Sequence, residues 1–179
     1  MGATTMSPAK RIATAAITAV LLGTTPGLAA AAAPPTALPS QQTGQWHRFR
    51  IYPPPNEPAM DLDVNGSGVA VVSTPDPGNE HQQWNLDKID GKQFIRNRAT
   101  GTCLTAPNDT LDPVTVQACD GNNPNQRWDV HYVRSGQVEI SPWSHLSLAL
   151  TGGAQFGSDK ALLRPYAEKE TQEWYLRSA

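Results

Sequence analysis

The sequence predicts an all-β domain in which one short unit is written three times. Three observations carry that prediction. A glutamine stands two residues before a tryptophan at Gln82-Gln83-Trp84, Gln126-Arg127-Trp128 and Gln172-Glu173-Trp174. With glutamine at 11 of 179 positions, three such pairs among five tryptophans arise by chance only about twice in a thousand sequences. The tryptophans lie 44 and 46 residues apart, a period that marks a repeated supersecondary unit. Finally, no stretch after residue 35 sustains a helical apolar period, whereas several alternate like half-buried strands.

The first 33 residues stand outside this pattern. Lys10 and Arg11 precede an apolar run from Ile12 to Leu22, and Gly27 to Ala33 is a string of small residues around Leu28. Basic, apolar and small segments in that order read as a secretory signal peptide, and the run is too short to span a membrane. Residues 34–44, rich in Pro, Gln, Ser and Thr, read as a flexible leader. Residues 45–179 form the domain, with repeats at about 46–90, 91–134 and 135–179.

Within the repeats, Gln93–Asn97, Val114–Gln117 and Gln137–Ile140 alternate as strands do. Turn-forming clusters separate them: Asn65-Gly66-Ser67-Gly68, Asp76-Pro77-Gly78-Asn79, Ala99-Thr100-Gly101, Asp120 to Pro124 and Thr151-Gly152-Gly153. Four strands per unit give about twelve, a number that removes sheet edges by closing into a barrel-like arrangement. Matched apolar positions support the repeat: Ile51, Ile95 and Ile140; Leu62, Leu104 and Leu148; and Leu86, Val130 and Leu176 after each QxW. One unit cannot bury its own apolar face, so Trp84, Trp128 and Trp174 are expected in a shared core. Each QxW glutamine is expected to bond backbone groups in a turn.

Bulk properties exclude several functions. The net charge is −2, or about −4 once Lys10 and Arg11 are removed, and no basic stripe interleaves with aromatics, so no nucleic-acid partner is expected. Cys103 and Cys119 are most simply a disulfide in an exported chain, worth roughly 3 kcal/mol. His47, His81, His131 and His145 stand apart, so neither metal nor cofactor is expected. No nucleophile-elbow or zinc-protease motif is present, and the scattered carboxylates suggest no catalysis. Asn65-Gly66-Ser67 and Asn108-Asp109-Thr110 match the glycosylation acceptor pattern.

These residues resemble the ricin B-type lectin family, a β-trefoil whose three subdomains each close with QxW. The resemblance runs from about Trp46 to Leu176. It is densest in Gly101-Thr102-Cys103-Leu104, Val114 to Cys119 and Asn125-Gln126-Arg127-Trp128. It implies carbohydrate binding through a carboxylate just after Cys-Leu, an aromatic ring two residues before the second Cys, and an Asn before the QxW glutamine. The first unit keeps Asp63, has Val72 near the ring position, and carries His81 before Gln82. The second keeps Asn125 and Gln126, with Thr105 in place of the acid and Gln117 in place of the ring. The third has Ala149, Arg164 and Thr171 at these positions. Asp63 has a second reading, as a turn-capping side chain before Asn65-Gly66.

The expected function is that of a secreted, non-enzymatic, lectin-like β-trefoil with partly degenerate sites. Its partner would be an extracellular glycan or polysaccharide, bound mainly through the first unit. The alternative is a trefoil that has lost sugar binding and uses its loops on a protein, as an inhibitor or toxin component. Trp143, off the repeat pattern, is expected to pack under its own loop, and Tyr52 to Pro55 to form a stiff connection.

Overall fold

The structure, a computed structural model, describes residues 44–52, 57–89, 92–134, 136–153, 159–167 and 170–179. The expected signal peptide, the leader up to residue 43 and the Pro53–Pro55 run lie outside the described residues. The first unit contributes β1 (His47–Ile51), β2 (Met60–Val64), β3 (Ala70–Ser73) and β4 (Trp84–Ile89). The second contributes β5 (Lys92–Asn97), β6 (Cys103–Thr105), β7 (Thr115–Gln117) and β8 (Trp128–Arg134). The third contributes β9 (Gln137–Pro142), β10 (Leu148–Thr151), β11 (Leu162–Pro165) and β12 (Trp174–Ser178).

Six of these strands close into a ring. Antiparallel ladders join β4 to β5, β8 to β9, and β12 back to β1. The ladders are linked where Trp84 pairs with His47, Trp128 with Gln93, and Trp174 with Val138. First and last strands are therefore neighbours, and the ring has no open edge. The other six strands form the hairpins β2–β3, β6–β7 and β10–β11. The hairpins meet in a cycle of backbone bonds: Ala70 N–H to Val114 O (2.9 Å), Val114 N–H to Ala161 O (3.0 Å), and Ala161 N–H to Ala70 O (2.8 Å). All three residues are fully buried, so each would otherwise hide an unpaired amide. That cycle marks a pseudo-threefold axis.

The tryptophans occupy equivalent places, as the repeat predicts. Each is buried, and each indole N–H donates to a leucine carbonyl: Trp84 to Leu62 (3.0 Å), Trp128 to Leu104 (2.9 Å), Trp174 to Leu150 (2.9 Å). A buried indole needs such an acceptor. Around them Phe49, Ile95, Leu104, Ile140 and Leu163 fill one continuous core.

Two matched positions need correction. Leu150, not Leu148, is the counterpart of Leu62 and Leu104, so Thr151, not Ala149, follows it as Asp63 follows Leu62. Phe49, not Ile51, shares the register of Ile95 and Ile140, because Leu176 pairs with Phe49 as Leu86 pairs with Ile95 and Val130 with Ile140. Both slips are of two residues. Such a slip keeps every side chain on its face of the sheet, so an apolar pattern does not detect it.

Local chemistry sets the turns. Gly68 adopts φ +76°, open to glycine at no steric cost, while the Asn65 side chain accepts from the N–H groups of Ser67 and Val69. Before each of the first two QxW motifs, an Asp closes a turn and an Asn caps one turn of 3₁₀ helix. Asp76 and Asn79 act before Glu80–Gln82, and Asp120 and Asn123 before Pro124–Gln126.

Candidate functional site

The QxW glutamine sits at the centre of the same hydrogen-bond pattern in all three units. Its side-chain carbonyl accepts from a backbone N–H: Asp76 for Gln82 (2.8 Å), Asp120 for Gln126 (2.7 Å), Ala167 for Gln172 (2.9 Å). Its amide donates to the carbonyls of Thr74, Ala118 and Pro165 respectively. It also donates, at 3.1 Å each time, to the residue after the hairpin leucine: Asp63, Thr105 or Thr151. A buried amide is thereby satisfied from both ends. Gln82 and Gln126 accordingly hold their units together, as the sequence predicts for a turn-bonding glutamine.

In the first unit Asp63 and Gln82 are brought together with Ser73 and Asn79. One Asp63 oxygen accepts from the Ser73 hydroxyl (2.5 Å), the Asn79 amide (3.2 Å) and Gln82, and the other from the Val64 N–H (2.7 Å). A carboxylate offers about four acceptor positions; three donors from its own unit crowd one oxygen and a fourth takes a position on the other. Its residue is only 8% exposed. Ser73, paired with Asp61 as Gln117 is with Cys103, holds the ring position that the sequence comparison put near Val72. His81 is exposed on the adjoining 3₁₀ turn; its N–H is capped by Asn79, and its carbonyl accepts from the Asn97 side chain (2.7 Å).

The second unit differs at its surface. Thr105 replaces the acid, and its hydroxyl donates to the Cys103 carbonyl (2.9 Å) while accepting from Gln126. Beside it opens a cleft of about 620 Å³, lined by Thr105, Asn108, Asp112, Gln117 and Asn125 among others. Asn125 donates to the Asn108 side-chain oxygen (2.7 Å), and Gln117 is exposed on β7. The predicted disulfide joins Cys103 and Cys119, two residues from Thr105 and Gln117, and fixes both strands of the hairpin beneath the cleft. The sequence comparison missed Asn108 and Asp112, which sit on the β6–β7 loop, where no strand period marks their direction.

The third unit turns its ring position to another use. Arg164 donates to the Thr110 carbonyl (3.2 Å) and so braces the second unit's cleft loop. Thr151 bonds Gln172 and the Ala149 carbonyl, and Thr171 is buried. Trp143, expected to pack under its loop, is instead 61% exposed.

This threefold arrangement agrees with known proteins. The ricin-type β-trefoil lectin domain profile matches residues 49–174. The chain belongs to that family. Among solved structures, the designed threefold-symmetric protein ThreeFoil is similar with a TM-score of 0.60 at 22% identity, over 74% of this chain and 99% of that one. The ricin B-like lectin of Macrolepiota procera, solved with lactose, gives a TM-score of 0.59 at 14% identity, over 76% and 96%. A mosquitocidal holotoxin gives 0.63 at 17% identity over 76% of this chain, which spans 17% of that longer one. Identities this low carry the fold alone. No curated protein matches the sequence. As a ricin-type lectin domain, the chain has the architecture of carbohydrate-binding proteins. Among the described residues, no helix is long and apolar enough to cross a membrane.

Proposed function

We propose that this lectin-family chain is exported and binds a carbohydrate in the cleft of its second unit. The observation that carries the reading is the cleft itself, which gathers Gln117 and Asn125, at two of the family's contact positions, beside Asn108 and Asp112. Amide side chains offer paired donors and acceptors to adjacent ring hydroxyls. Among the described residues no side-chain hydrogen bond engages the exposed carboxylate of Asp112, so it supplies the acceptor that Thr105 lacks. In the first unit Asp63 is already occupied by its own fold, so that unit contributes less than its sequence suggests. The Macrolepiota procera relative was solved with lactose, which makes a galactoside a sensible first probe.

Export rests on the basic, apolar and small-residue order of residues 1–33 and on a disulfide that persists in oxidising compartments. In this reading residues 34–44 are a leader and 45–179 the lectin domain, without catalytic activity of its own. A second reading, protein binding through the third unit, is favoured by one observation: Trp143 and Leu146 are exposed in a single turn, with Tyr166 bonded to Ser147 beside them.

A glycan array probed with the exported chain separates the two. The carbohydrate reading predicts saturable binding that Asn125→Ala abolishes and Asp112→Asn weakens. Binding to no glycan at all would sink it, as would binding lost in Asp63→Ala but kept in Asn125→Ala. The protein-binding reading instead requires a partner interaction lost in Trp143→Ala.

A further inference from the structure

β1 and β12 lie side by side, and their outward residues form one surface. Phe49 and Ile51 are in the core, so Arg48, Arg50 and Tyr52 stand on the opposite face. In register across the ladder, Arg177 faces Arg48 and Tyr175 faces Arg50, while Asp61 on β2 faces Arg50 from the other side. Fully buried Asp61 takes a bidentate pair of bonds from Arg50, at 2.7 and 2.9 Å. Arg48 lies 4.0 Å from the same carboxylate and otherwise donates to the Ser178 carbonyl (3.3 Å). Arg177 donates to the Tyr52 hydroxyl (3.1 Å) and lies 5.6 Å from the Tyr175 ring centre. The two tyrosine rings meet edge to face at 5.0 Å.

Among the described residues, Asp61 is the sole carboxylate within ion-pair distance of these three guanidiniums. The face therefore carries two surplus positive charges on a chain whose net charge is −2. Like charges directly opposite in an antiparallel pair are destabilising. The Arg48 side chain is only 15% exposed, and its one carboxylate contact, Asp61 at 4.0 Å, is already committed to the bidentate pair with Arg50. The other two units lack this surplus. One position before Ile95 and Ile140 stand Phe94 and Glu139, and the Arg177 position is filled by Asp87, which pairs with Arg96, and by His131.

We propose that the outer face of β12, β1 and β2 binds an acidic saccharide. The Arg48 and Arg177 guanidinium forks would hold its sulfate or carboxylate group, and the exposed edge of Tyr52 would flank the sugar ring. The choice of a saccharide over a free anion rests on the lectin reading above; the charge argument stands without it.

Titration calorimetry of the whole chain with a heparin tetrasaccharide tests this. A neutral glucose tetrasaccharide, and sodium sulfate at matched ionic strength, serve as controls. The acidic tetrasaccharide is expected to bind at least tenfold more tightly than either control. Arg177→Gln, an exposed position that leaves the fold intact, weakens it on the order of tenfold. Lys88→Gln, which removes one charge elsewhere, leaves it unchanged. The proposal is overturned if the acidic and neutral tetrasaccharides bind alike, if Arg177→Gln has no effect, or if sodium sulfate binds as tightly as the saccharide. Those results leave neutral-glycan binding in the cleft standing. Conversely, an array without any neutral-glycan binding removes the cleft and leaves an Arg177-dependent acidic site in place.

Discussion

The first and second units share one skeleton and use it differently. Both bury a QxW glutamine that bonds a turn amide, the carbonyl just past a hairpin strand and the residue after the hairpin leucine. In the first unit that residue is Asp63, and four donors close around it. In the second it is Thr105, whose two bonds stay internal and leave Asn125 and Gln117 facing a cleft. Two positions earlier the contrast recurs: the first unit ties Asp61 to Arg50, the second ties Cys103 to Cys119. The lesson is that the family's acid is not by itself a ligand group. A carboxylate satisfied from within its unit is part of the scaffold, and the surface left open by its loss can become the site.

The largest effects come from breaking the shared hub. Gln82→Ala removes a charge-assisted bond to Asp63, a bond to the Ser73 hydroxyl and two backbone bonds, and is expected to cost about 3–5 kcal/mol in urea unfolding. Gln126→Ala, which loses a neutral bond to Thr105 instead, should cost about 1 kcal/mol less. Equal costs would mean that neither Asp63 nor Ser73 adds to what Thr105 supplies. Replacing both cysteines by alanine should destabilise the chain by about 3 kcal/mol without altering the first unit's hydrogen bonds.

Converting one unit towards the other gives smaller changes. Asp63→Thr, which copies the second unit, keeps an acceptor for Gln82 and should cost about 1 kcal/mol, against about 3 kcal/mol for Asp63→Ala. At the strand position that pairs with each QxW tryptophan, the first unit has His47 and the second Gln93. Burial lowers the His47 pKa below its ordinary 6.5. The unfolded chain therefore binds more protons than the folded one just below that value, and stability falls as the pH drops through 6.5 towards the folded pKa. In His47→Gln that part of the pH dependence should vanish; an unchanged slope in denaturation between pH 7.5 and 5.5 would assign it elsewhere.

The repeat was legible because its signals are local. Three QxW motifs and their spacing were enough to predict twelve strands, a shared tryptophan core and a turn-bonding glutamine. Register was not, at two places. Leu146, Leu148 and Leu150 alternate, as do Phe49 and Ile51, so apolar matching admits a two-residue slip; the bonds of Trp174 and Gln172 resolve the first, and the pairing of Phe49 with Leu176 the second. The candidate site was legible in part. Gln117 and Asn125 followed from their places in the repeat. Asn108 and Asp112 did not, because the Asp109 turn that carries them is fixed against the third unit by a long-range bond from Arg164 to Thr110. Nor does composition reveal that Asp63 is engaged by its own unit, since Ser73, Asn79 and Gln82 converge on it from three separate segments.

The most direct test of the central claim, that the second unit rather than the first holds the ligand, is side-chain amide NMR. The ¹⁵N-labelled chain would be titrated with the saccharide selected on the array. Resonances of Gln117, Asn125 and Asn108 are expected to shift together and saturably while those of Gln82 and Asn79 stay fixed. Shifts confined to Gln82 and Asn79 would contradict the account and return the site to Asp63.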